Sequence, residues 1–153
     1  MFTEKCDMGN VIIRKGSIED VYYIHRLIPE FPGEIRSGFY EERLKLKMHL
    51  VLVAEVGGQL AGFKVGYESN EPQMFYSWMG GVIPQFRKAG VARALADKQE
   101  LWAKENGFTR VFFKTRNRFP AMINFGMRRG FKIVGMIKKG SEDDYRIVMR
   151  KSF

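Results

Sequence analysis

Cys6 is the only cysteine of this chain, so no internal disulfide can form. No histidine lies near it in sequence to activate it, and it reads as a spectator thiol. Histidine is as scarce. His25 and His49 stand apart, no His/Cys/Asp cluster has ligand spacing, and no metal is expected. No apolar run approaches the ~20 residues of a membrane span. The first ten residues carry Glu4, Lys5 and Asp7 without the apolar core of a signal peptide. They read as a flexible arm, and the expected location is the cytoplasm, without membrane partners. Repeats, low-complexity tracts and linkers are also missing, so residues 1–153 read as one domain with one core. Carboxylates are outnumbered, with 17 Asp and Glu against 26 Lys and Arg for a net charge of +9. That excess favours nucleic acid, an acidic surface or a polyphosphate cofactor, or is a solvated basic face.

Hydrophobic spacing supplies the elements. Val11-Ile12-Ile13-Arg14 predicts a strand. Ser17 can cap a following helix whose Glu19 and Asp20 favour its positive end, with Val21, Ile24, Leu27 and Ile28 at helical spacing. Pro29 and Pro32 end it, and a loop from Glu30 to Gly38 leads to a charged helix from Phe39 to Met48. Leu50 to Val56 is apolar enough for a central strand, and Gly57-Gly58 turns it into a partner strand from Leu60 to Tyr67. After a turn from Glu68 to Pro72, a strand from Met74 to Ile83 stops at Pro84. Gly90 to Glu105 is the longest helix, with Val91, Ala94, Leu95, Leu101 and Trp102 on one stripe and Gly107 as its stop. Thr109 to Lys114 predicts a strand and Pro120 to Arg129 a helix stopped by Gly130. Phe131 to Ile137 and Tyr145 to Met149 predict two closing strands. The order β-α-α-β-β-β-α-β-α-β-β describes an α/β (α+β) three-layer domain on a mixed sheet. The nine methionines read as core filling.

The informative junction is Val82-Ile83-Pro84-Gln85-Phe86-Arg87-Lys88-Ala89-Gly90-Val91-Ala92, where a strand ends, a basic loop follows and the longest helix begins. A helix start leaves backbone amides unpaired and carries partial positive charge, which suits a pyrophosphate. Gly90 lets the backbone approach phosphate, Ala92 keeps the next turn small, and Arg87 and Lys88 add charge at the mouth. No Gly-Lys-Ser/Thr follows, and the three-glycine dinucleotide fingerprint is missing, which argues against a P-loop and against NAD.

This junction resembles motif A of the GCN5-related N-acetyltransferase (GNAT) family, Gln/Arg-x-x-Gly-x-Gly/Ala, through Arg87-Lys88-Ala89-Gly90-Val91-Ala92. Val82-x-Pro84 is similar to the family's strand end, and Ile13-Arg14-Lys15 with Ser17-x-x-Asp20 to its opening strand and helix. Lys114-Thr115-Arg116-Asn117 is similar to the segment after strand five, and Gly130-Phe131 to the Gly-Phe before strand six. The resemblance runs from Val11 to Lys151. It implies a GNAT-type domain with a mixed, mostly antiparallel seven-stranded sheet, helices on both faces, and strands four and five splayed around pantetheine. It also implies acetyl-CoA as cofactor. Amides at Gly81, Val82 and Ile83 would pair with pantetheine or polarise the thioester carbonyl. Amides of Arg87, Lys88, Ala89, Gly90, Val91 and Ala92 would hold the pyrophosphate, and Asn117 and Asn124 would contact the pantetheine or adenosine side.

Two positions depart from that family. Gly126 stands where many members place a Tyr that protonates the departing thiolate. Trp78 stands where many place a Glu on strand four. Transfer can proceed without either. A water chain can deliver the amine's proton to a distant carboxylate, a thiol pKa of about 8.5 makes thiolate a fair leaving group, and positioning with strand-four amides can supply much of the rate. Candidate bases are Glu30 and Glu68, and candidate hydroxyls are Tyr67 and Tyr76. Phe75, Tyr76 and Trp78 must divide between the two faces of the sheet, as core or as an apolar wall of the acceptor site. Gly80-Gly81 marks either a bulge or a close approach. Glu30, Glu34, Glu68 and Glu71, if they line the acceptor pocket, favour a cationic amine. Arg116, Arg118, Arg128 and Arg129 form a solvated basic face or meet the CoA 3′-phosphate.

The first functional reading is therefore an acetyl-CoA-dependent N-acetyltransferase acting on a small-molecule or peptide amine, with a homodimer compatible. The second is a CoA-binding regulator or degenerate enzyme without turnover. The third, a basic nucleic-acid-binding module, rests on charge alone.

Overall fold

The computed structural model describes residues 10–31 and 33–153. Cys6, residues 1–9 of the expected arm, and Pro32 lie outside the described residues. The chain runs β1 (Val11–Lys15), α1 (Ile18–Arg26), α2 (Phe39–Leu44), β2 (His49–Val56), β3 (Gln59–Glu68), β4 (Met74–Val82), α3 (Val91–Glu105), β5 (Arg110–Arg116), α4 (Pro120–Arg128), β6 (Lys132–Ile137) and β7 (Arg146–Ser152). That is the order the spacing predicts. Single 3-10 turns lie at Pro84–Phe86 and Glu142–Asp144. Among the described residues no helix is long and apolar enough to cross a membrane.

The seven strands form one sheet in the order β1-β2-β3-β4-β5-β7-β6, and only β4–β5 is parallel. Gly57 and Gly58 both sit at positive φ (58° and 78°), the backbone a two-residue hairpin requires. β4 and β5 pair only at Met74–Arg110, Phe75–Val111 and Tyr76–Phe112. Beyond that step β4 runs on to Val82 and β5 to Arg116 without pairing, so the sheet forks. Trp78 is an extra residue in β4, opposite the step from Val65 to Gly66, and such a bulge twists and re-aims a strand. The bulge thus sits at Trp78, two residues before Gly80-Gly81.

Helices cover both faces. α3 and α4 pack over Leu50, Leu52, Ala54, Phe75, Val111, Phe113 and Met149. α1 and α2 pack over Val53, Phe63, Val65 and Tyr67 on the other face. Phe75 belongs to the first layer, against Trp102 and Phe108, and Tyr76 and Trp78 to the second.

Several expectations need correction. α2 ends at Leu44 rather than Met48, and Leu46 is 96% exposed at φ 60°. Three cations in five residues (Arg43, Lys45, Lys47) give the chain there no apolar stripe to bury. Leu27 and Leu101 leave the predicted stripes for solvent, and on α3 Gln99 and Ala103 take the buried positions. Met74 and Met149 are core residues, but Met48, Met127 and Met136 are about half exposed.

Candidate functional site

The starts of α1 and α3 are opposites. Ser17 Oγ accepts from the Asp20 N–H while Asp20 accepts from the Ser17 N–H, a closed capping box. α3 begins at Gly90 (φ 82°) with no side-chain cap. The N–H groups of Lys88, Ala89, Gly90, Val91, Ala92 and Arg93 meet no acceptor among the described residues. Lys88 also sits at positive φ (64°), which an L residue holds only when its surroundings require it. Alternating left-handed residues turn successive amides into one concavity, an anion nest at the positive end of a four-turn helix.

Arg87 does not project into that nest. Its two Nη atoms donate to Glu30 at 2.9 and 2.8 Å, and its Nε donates to the Val82 carbonyl at 2.9 Å. The bidentate pair braces the loop against the α1–α2 connection. It also holds the Glu30 carboxyl below its ordinary range, so this carboxylate is a poor proton acceptor. Lys88 is left as the exposed cation at the nest.

Strand pairing divides the β4 amides. The Ile83 N–H donates to the Ala61 carbonyl at 2.8 Å. Hydrogen-bonded positions alternate along an antiparallel ladder, so Gly81, opposite Phe63, is also turned toward β3. Gly80 and Val82 then direct their amides into the fork. Of the expected trio Gly81, Val82 and Ile83, only Val82, with Gly80 on the same side of the strand, keeps its amide clear of β3. The missing side chain of Gly81 makes room for protein, because a Cβ there would lie 2.5 Å from Ile28 Cδ1.

The remaining candidates sit on other elements. The Asn117 side chain donates to the Glu142 carbonyl at 2.9 Å and its N–H to the Tyr145 carbonyl, so it fastens the turn after β5 to the β6–β7 connection. Asn124 is exposed on α4. Of the four arginines at and beyond the end of β5, Arg116 and Arg118 pair with Asp144, and Arg129 is mostly buried against Asp97 and Glu100. Trp78, at the family's Glu position, stacks on Phe39 with Arg43 over its ring at 4.5 Å. Gly126 lies under α4, where a Cβ would be 2.8 Å from Phe113 Cζ and 3.0 Å from Met149 Cε. The space a larger side chain would need is taken by those two residues.

On the α1–α2 face an open groove of about 430 Å³ runs from the β3–β4 turn across the paired end of β4–β5 to β7. Tyr67, Glu68, Tyr76, Phe112 and Lys114 line its middle. The Tyr67 hydroxyl accepts from Arg43 at 3.0 Å, and Tyr76 stacks on Phe112 with its hydroxyl pKa raised by burial. Glu68 accepts from the Met48 N–H at 2.7 Å. Two carboxylates (Glu68, Glu71) face three cations (Lys47, Lys114, Arg150), so the groove is not acidic. Glu30 is elsewhere, on Arg87.

A second, smaller cavity lies between α3 and α4 at the fork. Lys64, Ser77, Gln99, Glu100, Phe113, Gly126 and Arg129 are among its lining residues. Lys64 and Ser77 are not among the residues that sequence reasoning singles out. A lysine inside an otherwise apolar strand, Leu60-Ala61-Gly62-Phe63-Lys64-Val65, was the one visible clue.

The open amides and the unpaired fork fit a cofactor with a pyrophosphate and a thin acyl-bearing arm. Comparison with known proteins agrees. The profile of the family described as Acetyltransferase (GNAT) family matches residues 18–131. An acetyltransferase of Pectobacterium atrosepticum is 30% identical over 101 residues, 65% of this chain and 70% of that one. The ribosomal-protein-S18-alanine N-acetyltransferase of Escherichia coli superposes with a TM-score of 0.79 at 16% identity, covering 94% of each chain. The PaiA N-acetyltransferase of Thermoplasma acidophilum, solved in complex with coenzyme A, gives 0.71 at 18% identity over 94% of this chain and 99% of that one. With its forked sheet and open helix start, the chain belongs to the GNAT family of acetyltransferases, whose usual cofactor is acetyl-CoA.

Proposed function

We propose that the protein is a cytoplasmic N-acetyltransferase that moves the acetyl group of acetyl-CoA to a primary amine by direct attack of the amine nitrogen on the thioester. The observation that carries this reading is the row of unpaired amides from Lys88 to Arg93 beside the unpaired fork of β4 and β5. Bound acetyl-CoA supplies an activated acyl group on a thiol leaving group. The amides of Lys88, Ala89, Gly90, Val91 and Ala92 hold its pyrophosphate, and Lys88 adds the mobile charge. Arg87 contributes by fixing the loop. The Gly80 and Val82 amides orient the arm and polarise the thioester carbonyl, where fixed dipoles stabilise developing negative charge. Asn124, exposed on α4, contacts the pantetheine or adenosine side, and Asn117 acts by holding the end of β5.

The acceptor approaches from the opposite face, along the groove that reaches the fork at Tyr76 and Phe112. Its mixed charge suits an amine that also carries an anionic group, such as an amino acid or a short peptide, better than a polycation. Glu68 at the groove is the carboxylate placed to take the amine's proton through water, with Tyr67 and Tyr76 as walls. Ile133, Val134, Met136 and Ile137 on the edge strand β6 are 43 to 50% exposed, which favours pairing with a second copy. Sedimentation of Val134→Lys against the wild type tests that.

Two experiments separate the readings. Calorimetry with coenzyme A should show binding to the wild type and none to the Arg87→Ala/Gly90→Glu double variant. Equal affinity in both would sink the site. Incubation with acetyl-CoA and an amine panel should release free thiol. The second reading, a CoA-binding protein without turnover, draws on Gly126 and Trp78 and predicts binding without release.

A further inference from the structure

The small cavity between α3 and α4 lies at the point where β4 and β5 part. Ser77 and Phe113 line it, and they are the first residues of the two strands beyond the last paired step, Tyr76–Phe112. Lys64 enters it from β3, on the α3 side of the sheet, opposite Gly80. Gly80 is what lets it through, because a Cβ there would already be 3.4 Å from Lys64 Cγ and any longer side chain would bar the way. The lysine stem therefore crosses β4 toward the fork.

The cavity holds more polar groups than partners. Gln99 Nε2 is buried with no acceptor. Neither Lys64 Nζ nor Ser77 Oγ makes a hydrogen bond among the described residues. Glu100 is already engaged by Arg129 at 3.0 Å and by Lys151 at 2.7 Å. The enclosed space left is about 10 Å³, the lower limit for one water, so Gln99 Nε2 has room for a single water at most. Gln99 Nε2 is the buried donor without a partner, whereas Lys64 is half-buried, so its unpaired ammonium stays within reach of an acceptor that arrives at the fork. Gly126, where the family's tyrosine would stand, lines the same cavity.

We propose that the Lys64 ammonium at the fork is the proton donor to the departing CoA thiolate, replacing the tyrosine that Gly126 lacks. This rests on the acetyltransferase reading above. The acceptor nitrogen forms its bond to the acetyl carbon, the carbon–sulfur bond breaks with its electron pair passing to sulfur, and Lys64 Nζ gives the sulfur a proton. The acceptor nitrogen loses its own proton through water to Glu68, and solvent reprotonates Lys64. Burial lowers the Lys64 pKa to about 8, against the attraction of Glu100. A donor at that value matches a thiol near 8.5, the condition for efficient transfer.

The test titrates coenzyme A bound to the full chain, following thiolate absorbance in the ultraviolet, for the wild type, Lys64→Met and Lys64→Arg. An adjacent ammonium should lower the bound thiol's pKa by about 1 unit or more in the wild type and Lys64→Arg. Lys64→Met should return it to the free value or above. In turnover, Lys64→Met should lose roughly 100-fold in kcat with little change in the KM for acetyl-CoA, and the fall in rate above pH ~8 should vanish. Equal thiol pKa values in the wild type and a folded Lys64→Met would overturn the proposal. Failure of the wild type to bind coenzyme A at all would instead overturn the acetyltransferase reading, which calorimetry reports separately.

Discussion

At the scale of single residues, the site combines two costs that folding alone does not explain. One is Lys64. Its pKa falls from 10.5 unfolded to about 8 folded, so the unfolded chain binds more protons between those values. The penalty for burying the ammonium is fully present below pH ~8 and is relieved as pH rises to 10.5, so stability should climb across that window. Lys64→Met should be more stable than the wild type at pH 7, by on the order of 2 kcal/mol, and the difference should shrink toward pH 10.5. Urea titrations of both proteins at several pH values measure it. A constant difference would show that Lys64 is not desolvated. The other cost is Gly126, a helix glycine whose missing side chain is filled by Phe113 and Met149. Restoring the family's tyrosine by Gly126→Tyr should therefore not raise activity. It should overpack the α4–β5–β7 contact and lower stability by about 1–3 kcal/mol. A gain in kcat from Gly126→Tyr would contradict the assignment of that space to Phe113 and Met149.

At the scale of elements, what the sequence made legible was whatever is written in local spacing. The Ser17 cap, the Gly57-Gly58 turn, the Gly107 and Gly130 stops and the Gly90 helix start are all short-range chemistry, and each stands within a residue or two of its expected place. The division of amides along β4 was not legible. It depends on the register against β3 and on the Trp78 bulge, which no local pattern encodes. Arg87 looked like a phosphate ligand for a similar reason, since its partner Glu30 is 57 residues away. The Glu100 network belongs to the same hidden class. It ties α3 to Arg129, just past α4, and to Lys151 of β7, and both Glu100 and Arg129 have side chains under 15% exposed. Glu100→Gln keeps the shape but leaves two cations short of charge. It should cost about 2–3 kcal/mol and raise hydrogen exchange in α4 before the central strands. Uniform loosening of the whole sheet would argue against a local clamp.

At the scale of the molecule, the +9 charge is the excess left after every carboxylate is counted, and many of the arginines are held in fixed pairs. Arg14, Arg36, Arg87, Arg110, Arg116, Arg118 and Arg129 are each within salt-bridge distance of a carboxylate, several of them in the framework that shapes the site. What remains is carried largely by lysines spread over loops and helix faces. On the proposed reading, recognition of the pyrophosphate rests on fixed amides, whose dipoles are not displaced by salt, with Lys88 as the principal mobile charge. Coenzyme A affinity should thus weaken only modestly, by less than about tenfold, between low and physiological salt. Release of six to ten counterions from a nucleic acid would cost roughly 10³–10⁵-fold over a comparable range. Titrating coenzyme A and a single-stranded oligonucleotide in parallel across that range decides the matter. A steep slope with tight oligonucleotide binding at low salt would reassign the basic surface, while a shallow slope that flattens little further in Lys88→Ala would place the anion on the backbone of the α3 start.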